Sequence, residues 1–371
     1  MDDYAKQYRL MCPGPVNVSQ RVLRAMTAYE IGHREVEFSE LLLQIQHHCL
    51  ELMKLDPNEY GVVVVTGSGS AANEAIITSA IQPTDNVLSL ATGEFGRRLG
   101  DISSIYNPNT TTYAQDWATK LDLSKVEEML KSKHYDWVTM VHNETSTGEL
   151  QPVKDVGALC KKYGAKLFVD AVSSFMADPL QLDECNITMM STSSGKALGM
   201  PPGLSLVVGK ISEFDALSTY PVRNYYLSLA RLYAFARNKA QTPNTPAIHL
   251  FIALNEALKQ IAEEGVDARL NFQKQKSATF RSGLRDLGLS LLHPNHTLSN
   301  AVSSIRLPND MSFDDLRREL RNRGFIVYGG KGPLADKIFQ VSTMGAVGFD
   351  DIHALLVAIS EAMQRVMHSV A

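Results

Sequence analysis

Cysteine is scarce in this sequence, and the few cysteines present are not arranged for disulfides or metal binding. The 371-residue chain has 4 cysteines, at Cys12, Cys49, Cys160 and Cys185, and none of them belongs to a CxxC pair. Scattered cysteines of this kind indicate neither a disulfide framework nor a zinc site. We therefore expect all of them to be reduced packing residues, and we expect no metal in the protein.

Long apolar runs and dense clusters of positive charge are also missing. No stretch approaches the roughly 18 apolar residues that a membrane-spanning helix needs, and the N-terminal residues MDDYAKQYRL contain no apolar signal region. The formal net charge is -4, which disfavours the phosphate backbone of nucleic acids as a partner. These absences predict a cytoplasmic protein that binds neither membranes nor nucleic acids.

The composition is that of a globular protein with more than one core. Hydrophobic residues make up 44% of the chain and charged residues 20%, as in ordinary globular domains. At 371 residues the chain is long for a single core, so we expect a large domain and a smaller one. Alternating strand and helix patterns over residues 60–210 predict a mostly parallel sheet that is covered on both faces.

Two charged residues at the ends of apolar runs are the first candidates for chemistry. Asp170 follows an apolar run that starts at Leu167, and Lys196 comes shortly after a second run that starts at Ile187. Such runs are typical of buried parallel strands, whose carboxyl ends form the ligand crevice of open α/β sheets. An acid that faces a heteroaromatic nitrogen, together with a lysine that can form an imine, is what pyridoxal phosphate (PLP) chemistry requires. In the alternative interpretation, Asp170 caps a helix and Lys196 is solvated.

A small-residue turn earlier in the chain is a candidate for phosphate binding. A β-branched run over residues 60–66 is followed by the turn GSGS and by a helical pattern over residues 71–81. A strand, a small-residue turn and a helix start offer free backbone N–H groups and the positive end of a helix dipole. We therefore expect Ser68, Gly69 and Ser70 to hold a cofactor phosphate. The turn is not a P-loop, because no lysine occupies the GK[ST] position.

Seven short sequence motifs, spread over nearly the whole chain, resemble those of a known family. They are CPGPVNVS at 12–19, GHREVEF at 32–38, TGSGSAANEA at 66–75, GEFGRRL at 93–99, MVHNETSTGELQPV at 140–153, VDAVSSF at 169–175 and SSGKALGMPPG at 193–203. In these motifs and in their order, the chain resembles the class V, fold-type I PLP aminotransferases. The resemblance is greatest to their 2-aminoethylphosphonate:pyruvate aminotransferase branch.

The resemblance implies a fold, a domain organisation and a reaction. The implied fold is α/β, a fold-type I PLP-transferase with a mostly parallel seven-stranded sheet in a large domain and a smaller α+β C-terminal domain. Residues 1–20 would form an N-terminal active-site segment, residues 21–260 the large PLP-binding domain and residues 261–371 the small domain. The enzyme would move an amino group from a small primary amine or amino acid, with 2-aminoethylphosphonate as the first candidate, to a keto acid such as pyruvate.

The resemblance also implies roles for individual residues. Lys196 would carry the cofactor and then move protons, and Asp170 would keep the pyridine nitrogen protonated. Phe95 would stack on the pyridine ring, and Thr145 would donate a hydrogen bond toward the O3′ side of the ring. The implied cofactor-binding residues are Ser68, Gly69, Ser70, Phe95, Thr145, Asp170, Ser193, Lys196, Thr242 and Thr245, and the implied substrate-binding residues are Asn17, Arg34 and Gln340.

The prolyl loop QTPNTP at 241–246 bears on the oligomeric state. In the family this loop reaches across a dimer interface, where Thr242 or Thr245 would touch the partner's cofactor phosphate. The resemblance therefore implies a homodimer with shared active sites. Thr245 followed by Pro246 is also a good helix N-cap and first-turn pair, and both interpretations can hold together.

Two positions depart from the family pattern. Relatives carry an arginine where this chain has Gln340, and they often carry Asn or Gln where it has Gly195. A neutral amide loses the charge-assisted bonds that an arginine makes with a substrate anion, which are worth on the order of a few kcal/mol. The cations that could replace the arginine, each with a surface ion pair as its alternative role, are Arg34, Arg97, Arg98 and Lys331.

Several alternatives stay open at the level of sequence. Asn17 could bond its own backbone in a turn, and Glu144 could make a salt bridge instead of acting near the cofactor. His142 is predicted to be a satisfied histidine at a strand end. A PLP-dependent lyase and an alanine/serine:glyoxylate (pyruvate) aminotransferase are the rival enzyme functions. A cofactor-binding protein without turnover is disfavoured because Asp170 and Lys196 are both present.

Overall fold

The computed structural model of the chain describes residues 8–117, 119–308 and 311–370, so part of the predicted N-terminal segment 1–20 lies outside the described residues. The strands are β1 (Arg9–Leu10), β2 (Tyr60–Thr66), β3 (Val87–Ala91), β4 (Thr110–Ala114), β5 (Trp137–Val141), β6 (Asn143–Glu144), β7 (Glu149–Leu150), β8 (Lys166–Asp170), β9 (Met189–Ser193), β10 (Leu204–Lys210), β11 (Val302–Arg306), β12 (Phe325–Ile326), β13 (Tyr328–Gly329) and β14 (Ile338–Ser342). The α-helices are α1 (Gln20–Ala25), α2 (Val36–Leu52), α3 (Gly69–Ala80), α4 (Glu94–Tyr106), α5 (Leu123–Ser132), α6 (Val153–Tyr163), α7 (Ile211–Ala216), α8 (Leu229–Lys239), α9 (Ile248–Glu264), α10 (Val266–Asp286), α11 (Phe313–Asn322) and α12 (Phe349–Val370).

The central sheet has seven strands in the order β2, β10, β9, β8, β5, β3, β4. β10 runs antiparallel to both of its neighbours, and the other adjacent strands are parallel. Side chains of a strand alternate between the two faces, and in β2 the pair Val62 and Val64 packs in one apolar core while Val63 and Val65 pack in another. The predicted mostly parallel, seven-stranded sheet with cores on both faces is confirmed.

Three adjacent strands of this sheet end at one rim. Val141 at the end of β5 pairs with Asp170 at the end of β8, and Asp170 pairs with Ser191 in β9. Lys196 lies in the turn that follows β9. The parallel register therefore brings the acid and the lysine to the same edge, where open α/β sheets bind their ligands.

A second unit is built on a three-stranded antiparallel sheet in the order β11, β14, β13. Helices α10, α11 and α12 contribute to its separate apolar core. The sequence predicts a small C-terminal domain here, and the domain boundaries 1–20, 21–260 and 261–371 stay predictions. The apolar run over residues 325–328 predicts a single strand, and this prediction is wrong in one respect. β12 pairs in parallel with β1, whereas β13 pairs with β14, and an apolar run cannot show that the chain changes partner at Val327.

Two further features bear on the predictions made from the cysteines and from the apolar runs. All four cysteines are buried and free, and burial raises the pKa of Cys49 to about 12, so this thiol stays protonated. In the part of the chain that the structure describes, no helix combines the length and the apolar character needed to cross a membrane.

Candidate active site

A cavity of about 310 Å³ lies at the rim formed by β5, β8 and β9. A space of this volume can enclose a small cofactor. Its wall combines strand ends, helix starts and the turn at Gly14 and Pro15. Eight of the residues predicted from the sequence line it, namely Ser68, Gly69, Ser70, Phe95, Thr145, Asp170, Ser193 and Lys196.

Asp170 is fixed in this wall by two hydrogen bonds. Its Oδ2 accepts a bond of 2.6 Å from Nδ2 of Asn73, and its Oδ1 accepts a bond of 2.8 Å from the backbone N–H of Val172. The carboxamide oxygen of Asn73 in turn accepts a bond of 2.5 Å from the Ser191 hydroxyl. Burial raises the pKa of Asp170, and the bonds from Val172 and Asn73 oppose that rise. The carboxyl is thus held in one orientation and is set to gain from a cationic partner.

Lys196 rests against the N-terminal turn. Its Nζ donates a hydrogen bond of 2.5 Å to the carbonyl of Pro13. A Cβ at Gly14 would lie 2.3 Å from Nζ, and the φ of Gly14 is +136°, so only glycine leaves room for the lysine at this point. Burial lowers the pKa of Lys196, and the positive charge of Lys331 lowers it further. A depressed pKa increases the fraction of neutral, nucleophilic amine near pH 7.

The start of α3 forms an anion-binding corner of the cavity. Ser68 is the N-cap residue, but its side chain makes no capping hydrogen bond. A Cβ at Gly69 would lie 2.4 Å from a methyl carbon of Val172, so glycine keeps the helix start close to the end of β8. The free N–H groups of the first turn and the helix dipole favour a negative group here. The geometry suits the phosphate predicted for Ser68, Gly69 and Ser70.

The sequence did not single out two buried amides near Asp170 and Thr145. Asn73 lies on the buried face of α3, and Asn143 begins β6 just after β5. Both residues line the cavity, and Oδ1 of Asn143 has no hydrogen-bond partner among the described residues. Since buried polar atoms are normally satisfied, this oxygen is available to a bound polar group. The only sequence signal for Asn143 is its place after the end of a predicted strand.

A packing contact explains why position 195 in the cavity wall is a glycine. A Cβ at this position would lie 2.9 Å from Cβ of Pro202, and both residues line the cavity. Pro202 therefore occupies space that a longer side chain at position 195 would need.

Two of the predicted substrate residues make other contacts. Asn17 bonds both backbone groups of Leu10, accepting from its N–H at 3.0 Å and donating to its carbonyl at 2.8 Å. Gln340 is 3% exposed, and its Nε2 donates to the carbonyl of Thr145 at 2.5 Å and to the Ser304 hydroxyl at 2.9 Å. Neither residue is part of the cavity wall described above, so their roles in substrate binding stay predictions.

Arg34 and the prolyl loop are in contact with each other, away from the cavity wall. Nη1 of Arg34 donates to the carbonyl of Thr242 at 2.6 Å and to Oε1 of Gln241 at 3.2 Å. Thr242 and Thr245 border a separate small pocket beside β2. Within one chain, the structure therefore does not bring Arg34, Thr242 or Thr245 to the residues around Lys196. Their predicted roles across a dimer interface are left untested.

Glu144 and His142 are buried and make hydrogen bonds that stabilise segments next to the cavity. The carboxylate of Glu144 accepts hydrogen bonds from the backbone N–H groups of Phe95, at 3.2 Å, and Gly96, at 2.9 Å. It thereby caps the start of α4, and burial raises its pKa. The ring of His142 is hydrogen-bonded to the Ser174 hydroxyl at 3.0 Å, and burial lowers the pKa of His142 to about 4. His142 is therefore the satisfied histidine that the sequence predicts.

Two cations flank Phe95 at the cavity. The guanidinium carbon of Arg98 is 4.7 Å from the centre of the Phe95 ring, and Nζ of Lys331 is 5.0 Å from it. Arg98 also lines the cavity, and its partner Glu94 is 3.6 Å away in a partly exposed pair. The positive charges of both cations act on Lys196. This arrangement can attract an anionic substrate group to the neighbourhood of the lysine.

The residues present fit PLP. The N-terminus of α3 suits its phosphate, Asp170 suits its ring nitrogen, Lys196 suits its aldehyde, and the unpartnered oxygen of Asn143 can accept a bond from a polar substituent. A mostly parallel sheet that carries an acid and a lysine at its carboxyl rim, next to an anion-binding helix start, defines a fold-type I PLP-dependent enzyme.

The chain belongs to the class V aminotransferases. The family model "Aminotransferase class-V" matches residues 10–344. Enzymes of this family depend on PLP and transfer amino groups between amines and keto acids. The predicted class, cofactor and enzymatic activity are therefore confirmed.

Individual relatives cover nearly the whole chain. An uncharacterised aminotransferase of Methanocaldococcus jannaschii is 33% identical over 96% of this chain and 92% of its own. A 2-aminoethylphosphonate–pyruvate transaminase of Salmonella paratyphi B is 31% identical over 97% of this chain and 98% of its own. The solved structure of an alanine–glyoxylate aminotransferase from Nostoc sp. aligns with a TM-score of 0.91 and 29% identity, and covers 98% of this chain and 99% of that chain. The two relatives whose names include a substrate differ in it, so the comparisons establish the family but not the amino donor.

Proposed function

We propose that this aminotransferase takes the amino group of 2-aminoethylphosphonate and transfers it to pyruvate. The observation that carries the proposal is the pair of cations, Arg98 and Lys331, that flanks Phe95 beside the cavity of Lys196. Such a pair suits an amine that carries a strongly anionic group. The 31% identity to a 2-aminoethylphosphonate–pyruvate transaminase over 97% of this chain supports the same donor.

The proposed mechanism assigns roles to the polar residues that line the cavity. When bound, PLP supplies an electron sink for the charge that develops at the donor carbon. Nζ of Lys196 takes the proton from the carbon that carries the amino group, and its depressed pKa favours the neutral amine that this step requires. Asp170 is held by Asn73 and Val172, and its carboxylate would keep the ring nitrogen of PLP protonated. Thr145 and Asn143 supply polar contacts in the same wall.

Recognition of the anion is proposed to differ from that of relatives with an arginine at position 340. Gln340 is neutral, and its amide hydrogens are used by Thr145 and Ser304. Arg98 and Lys331 both lie over the Phe95 ring, and a phosphonate between them would gain charge-assisted hydrogen bonds. Gln340 then acts as a support for Thr145.

We also propose that the enzyme is a homodimer. Arg34 holds the loop that carries Thr242 and Thr245 through the Thr242 carbonyl, and Thr245 is exposed. A loop held in this way, with a Thr245 hydroxyl that makes no hydrogen bond to any described residue, is suited to complete the phosphate site of a second copy.

The half-reaction tests the proposed donor directly. Purified PLP-loaded enzyme is mixed with 2-aminoethylphosphonate, alanine or serine without a keto acid, and pyridoxamine phosphate is quantified. We expect 2-aminoethylphosphonate to give close to one equivalent per active site, and added pyruvate to return the enzyme to the PLP form with release of alanine. Alanine should also form pyridoxamine phosphate, because this is the reverse of the step with pyruvate. Pyridoxamine phosphate from alanine or serine with none from 2-aminoethylphosphonate would favour the alanine/serine:glyoxylate type, which the structural likeness to alanine–glyoxylate aminotransferase makes the second candidate. Release of an elimination product without pyridoxamine phosphate would indicate a lyase.

A further inference from the structure

Glu149, His293 and His296 form a cluster of potential metal ligands outside the cavity that lines Lys196. One ligand atom from each residue lies within 4.8 Å of the other two. Nδ1 of His296 is 3.2 Å from Oε1 of Glu149, close to the separation of about 3.3 Å between two ligands of a tetrahedral zinc ion. The two imidazole rings are stacked with their centres 4.5 Å apart, so both border the same space beside the carboxylate.

Polar atoms in this cluster lack the partners that buried groups normally have. Oε2 of Glu149, Nε2 of His293 and Nδ1 of His296 make no hydrogen bond with any residue that the structure describes. Glu149 and His293 are each 4% exposed, so bulk water has little access to them. An unsatisfied buried polar atom destabilises the folded state, and three such atoms in one cluster indicate a ligand that satisfies them together.

The far side of His293 is arranged to present Nε2 as a ligand. The main chain of Trp117 accepts a hydrogen bond from the His293 ring. A neutral imidazole that donates one N–H to a backbone carbonyl keeps its other nitrogen free for a metal.

We propose that Glu149, His293 and His296 bind one divalent transition metal ion. Two imidazole nitrogens and one carboxylate oxygen suit zinc, with a fourth position left for water or a small anion. The expectation of no metal was based on the spacing of the cysteines and did not consider the word HPNH at 293–296, where the two histidines are three residues apart. The proposed site therefore departs from that expectation.

The position of the cluster assigns the metal a role in joining two segments of the fold. The backbone N–H of Leu150 donates to the carbonyl of Thr297 at 2.9 Å, and the N–H of Ser299 donates to the carbonyl of Gly148 at 3.1 Å. A metal held by Glu149 on one segment and by the two histidines on the other would fasten this junction. The β6–β7 turn on the first segment also carries Thr145, which lines the PLP cavity.

Zinc binding by the holoenzyme tests the site. The enzyme is treated with EDTA, dialysed, and titrated with zinc chloride by calorimetry, with zinc content measured after gel filtration. We expect one zinc per chain and a rise of a few degrees in the melting temperature. His293→Ala and Glu149→Gln should each weaken binding by about 100-fold or more and remove the thermal shift. Glu149→Gln keeps the size of the side chain and serves if His293→Ala does not fold.

Two controls separate this site from other zinc binding. His47 is exposed and lies 3.7 Å from Glu51, and this pair has no third ligand among the residues that the structure describes. His47→Ala should therefore retain one zinc per chain. Lys196→Ala should also retain it, because the cofactor is not part of the site. Wild-type enzyme that binds no zinc at 100-fold molar excess over chain, or a Glu149→Gln variant with unchanged affinity and stoichiometry, would overturn the proposal. Neither result depends on the amino donor.

Discussion

Asn73 connects the acid of the active site to the neighbouring strand, because it donates to Asp170 at 2.6 Å and accepts from Ser191 at 2.5 Å. The acid on β8 is therefore oriented by a residue on α3, the same helix whose first turn forms the anion corner. One helix positions both ends of the proposed cofactor site, so a change on its buried face should affect the cofactor more than the fold.

Replacement of Asn73 tests this arrangement. Asn73→Ala removes a hydrogen bond to a charged group, which is worth roughly 1.5–3 kcal/mol, so we expect PLP affinity or kcat/KM to fall by about 10–100-fold. The measurements are PLP titration and steady-state kinetics. Asn255→Ala is the matched control, since Asn255 is also buried and makes two side-chain hydrogen bonds, to His48 and Gln44. It should lower the melting temperature without changing PLP affinity. Equal losses of PLP affinity in both variants would contradict the assignment.

Removal of the lysine amine should stop turnover while leaving the fold intact. Lys196→Ala deletes the group proposed to move the proton, and general-base losses of this kind reach about 10³-fold. Borohydride reduction followed by peptide mapping should find cofactor attached to residue 196 in the wild type and no attachment in the variant. Lys210→Ala, at an exposed lysine that ends β10, should behave as wild type. Cofactor attached to a different lysine in the wild type would refute the role.

Loss of the lysine beside Phe95 should weaken binding of an anionic donor. Lys331→Met removes one exposed charge, so KM for 2-aminoethylphosphonate should rise about fivefold with little change in kcat, and the difference should shrink at high salt. Lys337→Met removes an exposed lysine from the same segment and should leave KM unchanged. If the two variants give the same KM, Lys331 does not contact the donor.

A charge at position 340 should improve donor binding at the expense of stability. Gln340→Arg places a guanidinium beside Thr145, so KM for 2-aminoethylphosphonate should fall roughly tenfold, while burial of the charge lowers the melting temperature. Gln340→Met removes the bonds to Thr145 and Ser304 without adding charge. The methionine variant should be less stable than wild type and show no gain in affinity. An unchanged KM in Gln340→Arg would show that a guanidinium at position 340 does not reach the donor's anion.

His142 should make the protein sensitive to mild acid. Its pKa is lowered from 6.5 to about 4 by burial, so between these pH values the folded state binds fewer protons than the unfolded state. The contribution of His142 to the free energy of unfolding is therefore fully present above pH 6.5. It decreases by about 3 kcal/mol as the pH falls to 4. His142→Gln should lose correspondingly less stability over this range in urea unfolding, whereas the exposed control His353→Gln should follow the wild type. Parallel curves for wild type and His142→Gln would exclude this contribution.

The strand ends of the site could be predicted from the sequence because local patterns determine them. The apolar runs before Asp170 and Lys196 are buried strands, and a parallel register brings their ends to one rim. The turn GSGS could be assigned to the start of α3 for the same reason, since small residues between a strand and a helix leave free N–H groups.

The contacts that depend on distant segments could not be predicted in this way. Asn73 lies within an otherwise apolar and small-residue helix face, and no periodicity shows that Asp170 is opposite it. The meeting of Glu149 with His293 and His296 requires the β6–β7 turn to pair with the segment before β11. The change of partner between β12 and β13 is of the same kind.

The pairing of β1 with β12 has a consequence for Lys196. The backbone N–H of Met11 donates to the carbonyl of Ile326 at 2.8 Å, and two residues later the carbonyl of Pro13 receives the lysine amine. The surface against which the amine rests is thus anchored to the C-terminal unit, while the lysine itself belongs to the central sheet. A rotation of the C-terminal unit relative to the central sheet would change the distance from Nζ of Lys196 to the carbonyl of Pro13. The reactivity of the amine would then depend on the relative orientation of the two units.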